Sequence, residues 1–186
     1  MPNKGGGQDL LPVGEAHKRI LAGLSPGQAE TCHLADSMGR VLASEVAARL
    51  SLPIEPVSAM DGYAARLADC VSVGTILTRI GESAAGRPWT GTLGVGQAVR
   101  IFTGAVIPNG ADCIILQEDV DASAEEDGAS VIIGKVPSEG RFIRPAGLDV
   151  KAGDIILAAG TVMSARLIAL AISAGHTHVS LWPRPH

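Results

Sequence analysis

Between residues 74 and 160 the chain is a succession of short β-branched runs, each closed by glycine, proline or a cluster of acids. "TILTRIG", "QAVRIF", "DCIILQED" and "SVIIGKV" are short for helices and rich in Val, Ile and Thr, which suit a pleated surface. A β-rich middle follows. The acidic tract "EDVDASAEEDGAS" reads as a solvated loop between two of these strands. "DVKAGDIILAAGTVM" reads as a hairpin turning at Ala152-Gly153, with Gly160 available for a second bend.

Helical spacing is confined to the ends. In "LPVGEAHKRILAGL", Val13, Ala16, Ile20, Leu21 and Leu24 recur on one stripe, Pro12 suits a first turn, and "SPG" at 25–27 stops the run. "LADSMGR" predicts a short helix ended by Gly39. "VLASEVAARLSLPIEP" predicts extended chain, because Pro53 and Pro56 hold their predecessors out of the helical region. In "SARLIALAISAG", Ser164 caps, Leu167, Ile168 and Ala171 share a face, and Gly175 ends the helix. The economical arrangement is an α+β fold. Elements of 8–47 and 150–182 pack as one discontinuous helical and hairpin domain, and 48–149 is an inserted, β-rich, barrel-like domain. The stop at "HVSLWPRPH", inside a proline-rich segment, reads as the front portion of a longer enzyme.

Composition removes several function classes. At 186 residues and 46% apolar content the chain can bury a core, yet only 3% is aromatic and the formal net charge is -4. Base-stacking platforms need exposed rings, and phosphate-backbone binders need a basic excess. No apolar run is long enough to span a bilayer, and the opening "MPNKGGGQDLLP" lacks a signal peptide's hydrophobic stretch; it reads as a tail. Cys32, Cys70 and Cys113 are odd in number and widely spaced, which suits a reducing cytoplasm and neither a disulfide framework nor a cysteine zinc site. His176 and His178 share one strand face in "GHTHVSLW", but without a third ligand they read as a solvated edge.

Three segments join turn chemistry to charge. In "PVSAMDGYAARLADC", Asp61-Gly62 sits between a proline-rich approach and a helical-looking run. The pair either shapes a turn or presents the Asp61 carboxylate to a ligand. In "RIFTGAVIPNGADCIILQED", Thr103, Gly104 and Ala105 offer a hydroxyl and successive amides after a strand. That is an anion-binding nest or a plain loop. Pro108-Asn109-Gly110 aims the next strand, and Gln117 and Glu118 end it at a sheet rim. In "RFIRPAGLDVKAGD", Arg141, Arg144 and Lys151 surround Asp149 near Gly147. Carboxylates at Asp61, Glu118 and Asp149 beside anion-seeking groups suit a phosphorylated or oxyanion ligand with magnesium. The P-loop signature and G-x-S-x-G are absent.

"SAMDGYA", "IFTGAVIPNGADCII" followed by "QE", and "IRPAGLDVKAGDIIL" resemble, in this order, the N-terminal half of the molybdopterin molybdenumtransferases. This is the MoeA family, which includes the gephyrin E domain. The resemblance runs from about residue 10 to residue 185, and "VSLWPRP" resembles the lead into that family's MogA-like domain, making 183–186 its start. It implies insertion of molybdenum from molybdate into adenylylated molybdopterin, with magnesium, releasing AMP. It also implies an elongated homodimer, whose cleft lies between the MogA-like domain of one subunit and the β-rich domain of the other. The missing C-terminal domains and other proteins of cofactor biosynthesis are the implied partners. The matching positions are Asp61, Thr103, Glu118, Arg144 and Asp149, with Asp61 and Asp149 as magnesium ligands or Asp149 as the orienter of Arg144. Many relatives carry Asp or Asn just before the serine, where this chain has Pro56 and Val57. Two readings stand at this point: half of a transferase, inactive alone, or a non-catalytic dimerisation and scaffolding module.

Overall fold

The computed structural model describes residues 10–25, 27–124 and 126–184, so most of the glycine-rich opening read as a tail lies outside the described residues. Helix α1 (Val13–Ala22) is followed by β1 (Glu30–His33), β2 (Val46–Ala47), β3 (Val57–Ser58) and β4 (Gly62–Ala65). Then come β5 (Ile76–Ser83), β6 (Gln97–Ile101), β7 (Cys113–Leu116), β8 (Val120–Ala122) and β9 (Ser130–Ile133). The chain closes with β10 (Ile143–Arg144), β11 (Ile155–Leu157), α2 (Ala165–Ser173) and β12 (His178–Leu181). Six strands form one sheet in the order β7-β4-β6-β5-β9-β8, parallel only between β5 and β6. Its order has two free ends, so it is a curled half-barrel and not a closed barrel. Three two-stranded ribbons, β1-β12, β2-β11 and β3-β10, complete the fold.

The molecule is mostly β, where the sequence predicted α+β. Among the described residues, only ten of α1 and nine of α2 are α-helical. "LADSMGR" makes only a 3₁₀ turn at Leu34–Asp36. The His33 ring nitrogen accepts from the Ala35 amide at 3.2 Å and the Ser37 hydroxyl donates to the Leu34 carbonyl at 2.7 Å, closing the turn before a helix can propagate. Helix α1 ends at Gly23, ahead of the "SPG" expected to stop it.

The strand the sequence hid is β4. All four of its residues are buried, and it lies between β6 and β7. Tyr63 and Ala65 face a core shared with Cys70, Leu77, Cys113, Ile115 and Val131, while Ala64 faces a second core with Ile101, Ala105 and Ile114. A strand covered on both faces loses the polar alternation that identifies a strand, and its small residues resemble a helix start. β7 behaves alike, with Cys113 and Ile115 on one side and Ile114 on the other.

Part of the acidic tract, read as a loop, is the edge strand β8, paired with β9 through Val120, Asp121 and Ala122. The segment read as a hairpin does turn at Gly153, with φ +96, but its arms do not pair with each other. Val150 pairs with Leu52, Ile155 with Ala47 and Val162 with Val41. Both arms therefore lie along the 41–52 segment, where Leu157 joins a third core of Leu34, Leu42, Val46, Met163, Ala171, Val179 and Leu181. No helix among the described residues is long and apolar enough to cross a membrane.

Candidate functional site

Gly62, the first residue of β4, stands opposite Ile101 at the end of β6 and Leu116 at the end of β7. Strand direction therefore brings Asp61, Thr103 and the Gln117–Glu118 pair to one rim of the sheet. The turn before Asp61 is closed by the buried Ser58 hydroxyl, which donates to the Met60 carbonyl at 2.6 Å and accepts from the Met60 amide at 3.3 Å. Gly62 serves another need than the bend. A Cβ there would lie 2.0 Å from the Ile115 carbonyl oxygen, so only glycine lets β4 and β7 approach. Tyr63 is buried as an anchor, whereas Met60 stays exposed.

Asp61 Oδ1 accepts two hydrogen bonds from Thr103, from its amide at 2.7 Å and its hydroxyl at 2.8 Å. The Thr103 amide and then its hydroxyl hold the carboxyl below its ordinary range; partial burial opposes them and the Arg100 charge adds to them. Asp61 Oδ2 carries no bond among the described residues and is open to a ligand. The anion nest expected at Thr103-Gly104-Ala105 has no spare amides. Gly104 donates to the Ser58 carbonyl at 2.8 Å and Ala105 to the Phe102 carbonyl at 3.0 Å, while Thr103 is committed to Asp61. Thr103 is thus the orienter of a carboxylate, and Gly104, at φ +81, and buried Ala105 shape the loop.

Glu118 lies in the 3₁₀ turn Gln117–Asp119, exposed, accepting from Gln117 Nε2 at 3.3 Å, and the Gln117 amide donates to the Asp61 carbonyl at 3.2 Å. The residue that sequence reading missed is Arg100. Its guanidinium donates to the Gly62 carbonyl at 2.9 Å and to Gln117 Oε1 at 2.8 Å, over the rings of Tyr63 and Phe102. A cation inside the otherwise apolar "AVRIF" was the signal available.

Arg144 and Asp149 form one unit on the other side of β3. Arg144 Nη2 donates to both carboxylate oxygens, at 2.7 and 2.6 Å. Each Asp149 oxygen thus accepts one bond from Arg144, in an exposed ion pair. Arg141 stacks on Phe142 at 4.7 Å, and Lys151 is exposed beside Gly147. β3 links the two groups: Ser58 bonds the Gly104–Ala105 loop on one flank and pairs with Ile143 on the other. Two strand spacings separate those flanks by roughly 10 Å. A cleft of about 550 Å³ nearby is lined by Glu55, Trp89, Ile107, Asn109 and Ile143, and includes neither Asp61 nor Thr103.

The remaining candidates are structural. His178 stands opposite His33, ring centroids 5.1 Å apart, and His176 Nε2 bonds the Ala47 carbonyl at 2.7 Å; no cluster of three metal-ligating side chains occurs among the described residues. All three cysteines are free, and a hydrogen bond with Cys70, together with burial, pushes the Cys113 thiol up.

Residues 11–175 match the family model described as the MoeA N-terminal region, domains I and II. The chain is 34% identical over 174 residues to a molybdopterin molybdenumtransferase of Haemophilus influenzae, covering 93% of this chain and 42% of that protein. A relative of the same description from Nostoc is 36% identical over 151 residues, 79% of this chain and 34% of its own length. A molybdopterin biosynthesis MoeA protein from Pyrococcus horikoshii superposes with a TM-score of 0.81 at 30% identity, covering 95% of this chain and 47% of that one. The chain therefore spans less than half the length of these relatives.

Proposed function

The chain belongs to the MoeA family, matching its N-terminal region, and on that premise we propose that it forms one wall of a molybdenum-inserting site. The reaction is transfer of molybdenum from molybdate into adenylylated molybdopterin, with release of AMP. The observation that carries the reading is the Asp61 carboxylate, clamped by Thr103 at a strand rim with one oxygen left open.

Because its pKa is held down, Asp61 is a poor proton acceptor at neutral pH and acts as fixed negative charge. Magnesium fits a free carboxylate oxygen such as Asp61 Oδ2: it takes one or two carboxylates plus substrate oxygens, and it would supply charge stabilisation to phosphate oxygens. Asp149 already pairs with Arg144, so in this reading it orients that arginine. Arg144, oriented by Asp149, keeps its other guanidinium hydrogens for an oxyanion. The cleft of about 550 Å³ includes none of Asp61, Thr103 and Arg144, which supports a site completed by further domains and by a second subunit.

The test joins this chain to the family's C-terminal domains and follows molybdate- and magnesium-dependent AMP release. Asp61→Asn lowers turnover by about 10²-fold or more, and the chain alone shows none. Undiminished turnover by the variant ends the role of Asp61. Robust turnover by the chain alone means that the catalytic groups lie elsewhere.

A dimerisation role has its own support. α1 buries no residue, and Val13, Ile20 and Leu21 are at least half exposed. An uncovered apolar stripe is suited to a second copy in a homodimer or to the missing domains. Sedimentation of the chain at high concentration discriminates: a strict monomer leaves the stripe to the other domains.

A further inference from the structure

The least expected group at the rim is Arg100. In β6 it stands beside Glu82 of β5, an ordinary partner for an arginine. Glu82 is already held by Arg79 at 3.2 Å and Arg87 at 3.1 Å, and Arg100 makes no ion pair among the described residues. Its side chain turns the opposite way. It passes over β4, resting against Tyr63 and Phe102 at 5.3 and 4.6 Å from the ring centroids. One nitrogen, Nη1, takes the Gly62 carbonyl next to Asp61, and the other, Nη2, takes Gln117 Oε1 beyond β7. Gln117 in turn donates to Glu118 and, through its amide, to the Asp61 carbonyl.

We propose that Arg100 is the positioning residue of this rim, a strap from β6 across β4 to the end of β7 that presents Asp61 and Glu118 together. The planar guanidinium is needed because two acceptors on two different strands must be held at once, and ring faces keep it from swinging toward Glu82. This role rests on the reading of the rim as the functional site.

The experiment compares wild type, Arg100→Met and Arg100→Lys in the 186-residue chain by the Gln117 side-chain amide resonance and the Gly62 carbonyl-carbon resonance. In Arg100→Met both resonances move. Arg100→Lys keeps the charge, but one ammonium cannot span both acceptors, so the Gln117 resonance still moves. In the protein joined to its C-terminal domains, Arg100→Met lowers kcat about 10-fold, with partial rescue by lysine. A residue serving only to pack the sheet lowers the melting temperature and leaves both resonances in place; that result overturns the proposal. If Arg100→Met fails to fold, the lysine variant decides, and an unmoved Gln117 resonance overturns it. Failure of the functional reading is separate: it shows as intact turnover in Asp61→Asn. Unmoved Gln117 and Gly62 resonances with Asp61→Asn inactive remove only the strap.

Discussion

Asp61 and Gly62 are neighbours in sequence, yet different forces hold them in place. Asp61 is set by Thr103, far along the chain, and Gly62 by the carbonyl of Ile115. Gly62→Ala forces a Cβ into that carbonyl, and the expected cost is about 2–4 kcal/mol, read as a lower midpoint in urea denaturation. Thr103→Val keeps the amide bond and deletes the hydroxyl one, costing about 1 kcal/mol at neutral pH. The pH dependence has a fixed sign. Asp61 is depressed in the fold, so its contribution is fully present above the unfolded value of about 3.9 and is lost as pH falls through the folded value. The gap between wild type and Thr103→Val therefore narrows as the solution is acidified below that range. Denaturation curves taken across that range check it; a gap that stays constant would mean that the two Thr103 bonds do not depend on ionised Asp61.

Strands β5, β6, β7 and β9 were legible as elements because each keeps a β-branched run between turn residues. β4 was not, since Gly62, Ala64 and Ala65 are small for the sake of layers packed on both sides, and nothing in the local pattern shows those layers. The arms around Gly153 failed for the same reason: a glycine announces a turn, but the partner strand belongs to residues 41–52, a hundred positions away. Helix α1 is the opposite case, an element with a clear period and nothing to cover it. Leu21→Lys on that helix is expected to change the unfolding free energy by less than about 0.5 kcal/mol, because the residue is 53% exposed. Any self-association seen in sedimentation should weaken in that variant. A large loss of monomer stability would show that α1 packs on the chain in solution.

At the scale of the molecule, three cores are distributed between the ends and the middle of the chain. Leu34, Leu42 and Val46 meet Leu157, Met163 and Leu181, while the central sheet keeps two cores of its own. We read this as the proposed discontinuous unit with an insertion, which places the rim of β4, β6 and β7 away from both chain ends. Such an arrangement suits a site finished by other domains. Adding those domains in trans is expected to restore some AMP release to an inactive chain, and a complete absence of recovery would point to a covalent requirement for the joined form.

The sequence by itself determined the family, the β-rich middle and the three polar turns, because these depend on residue types within a few positions of one another. Only the tertiary structure decided that Thr103 donates to Asp61, that Arg144 donates to Asp149, and that Arg100 donates to Gln117. Each of those outcomes depends on which strands lie side by side, and strand pairing is fixed by long-range burial of apolar surface, which no local pattern encodes.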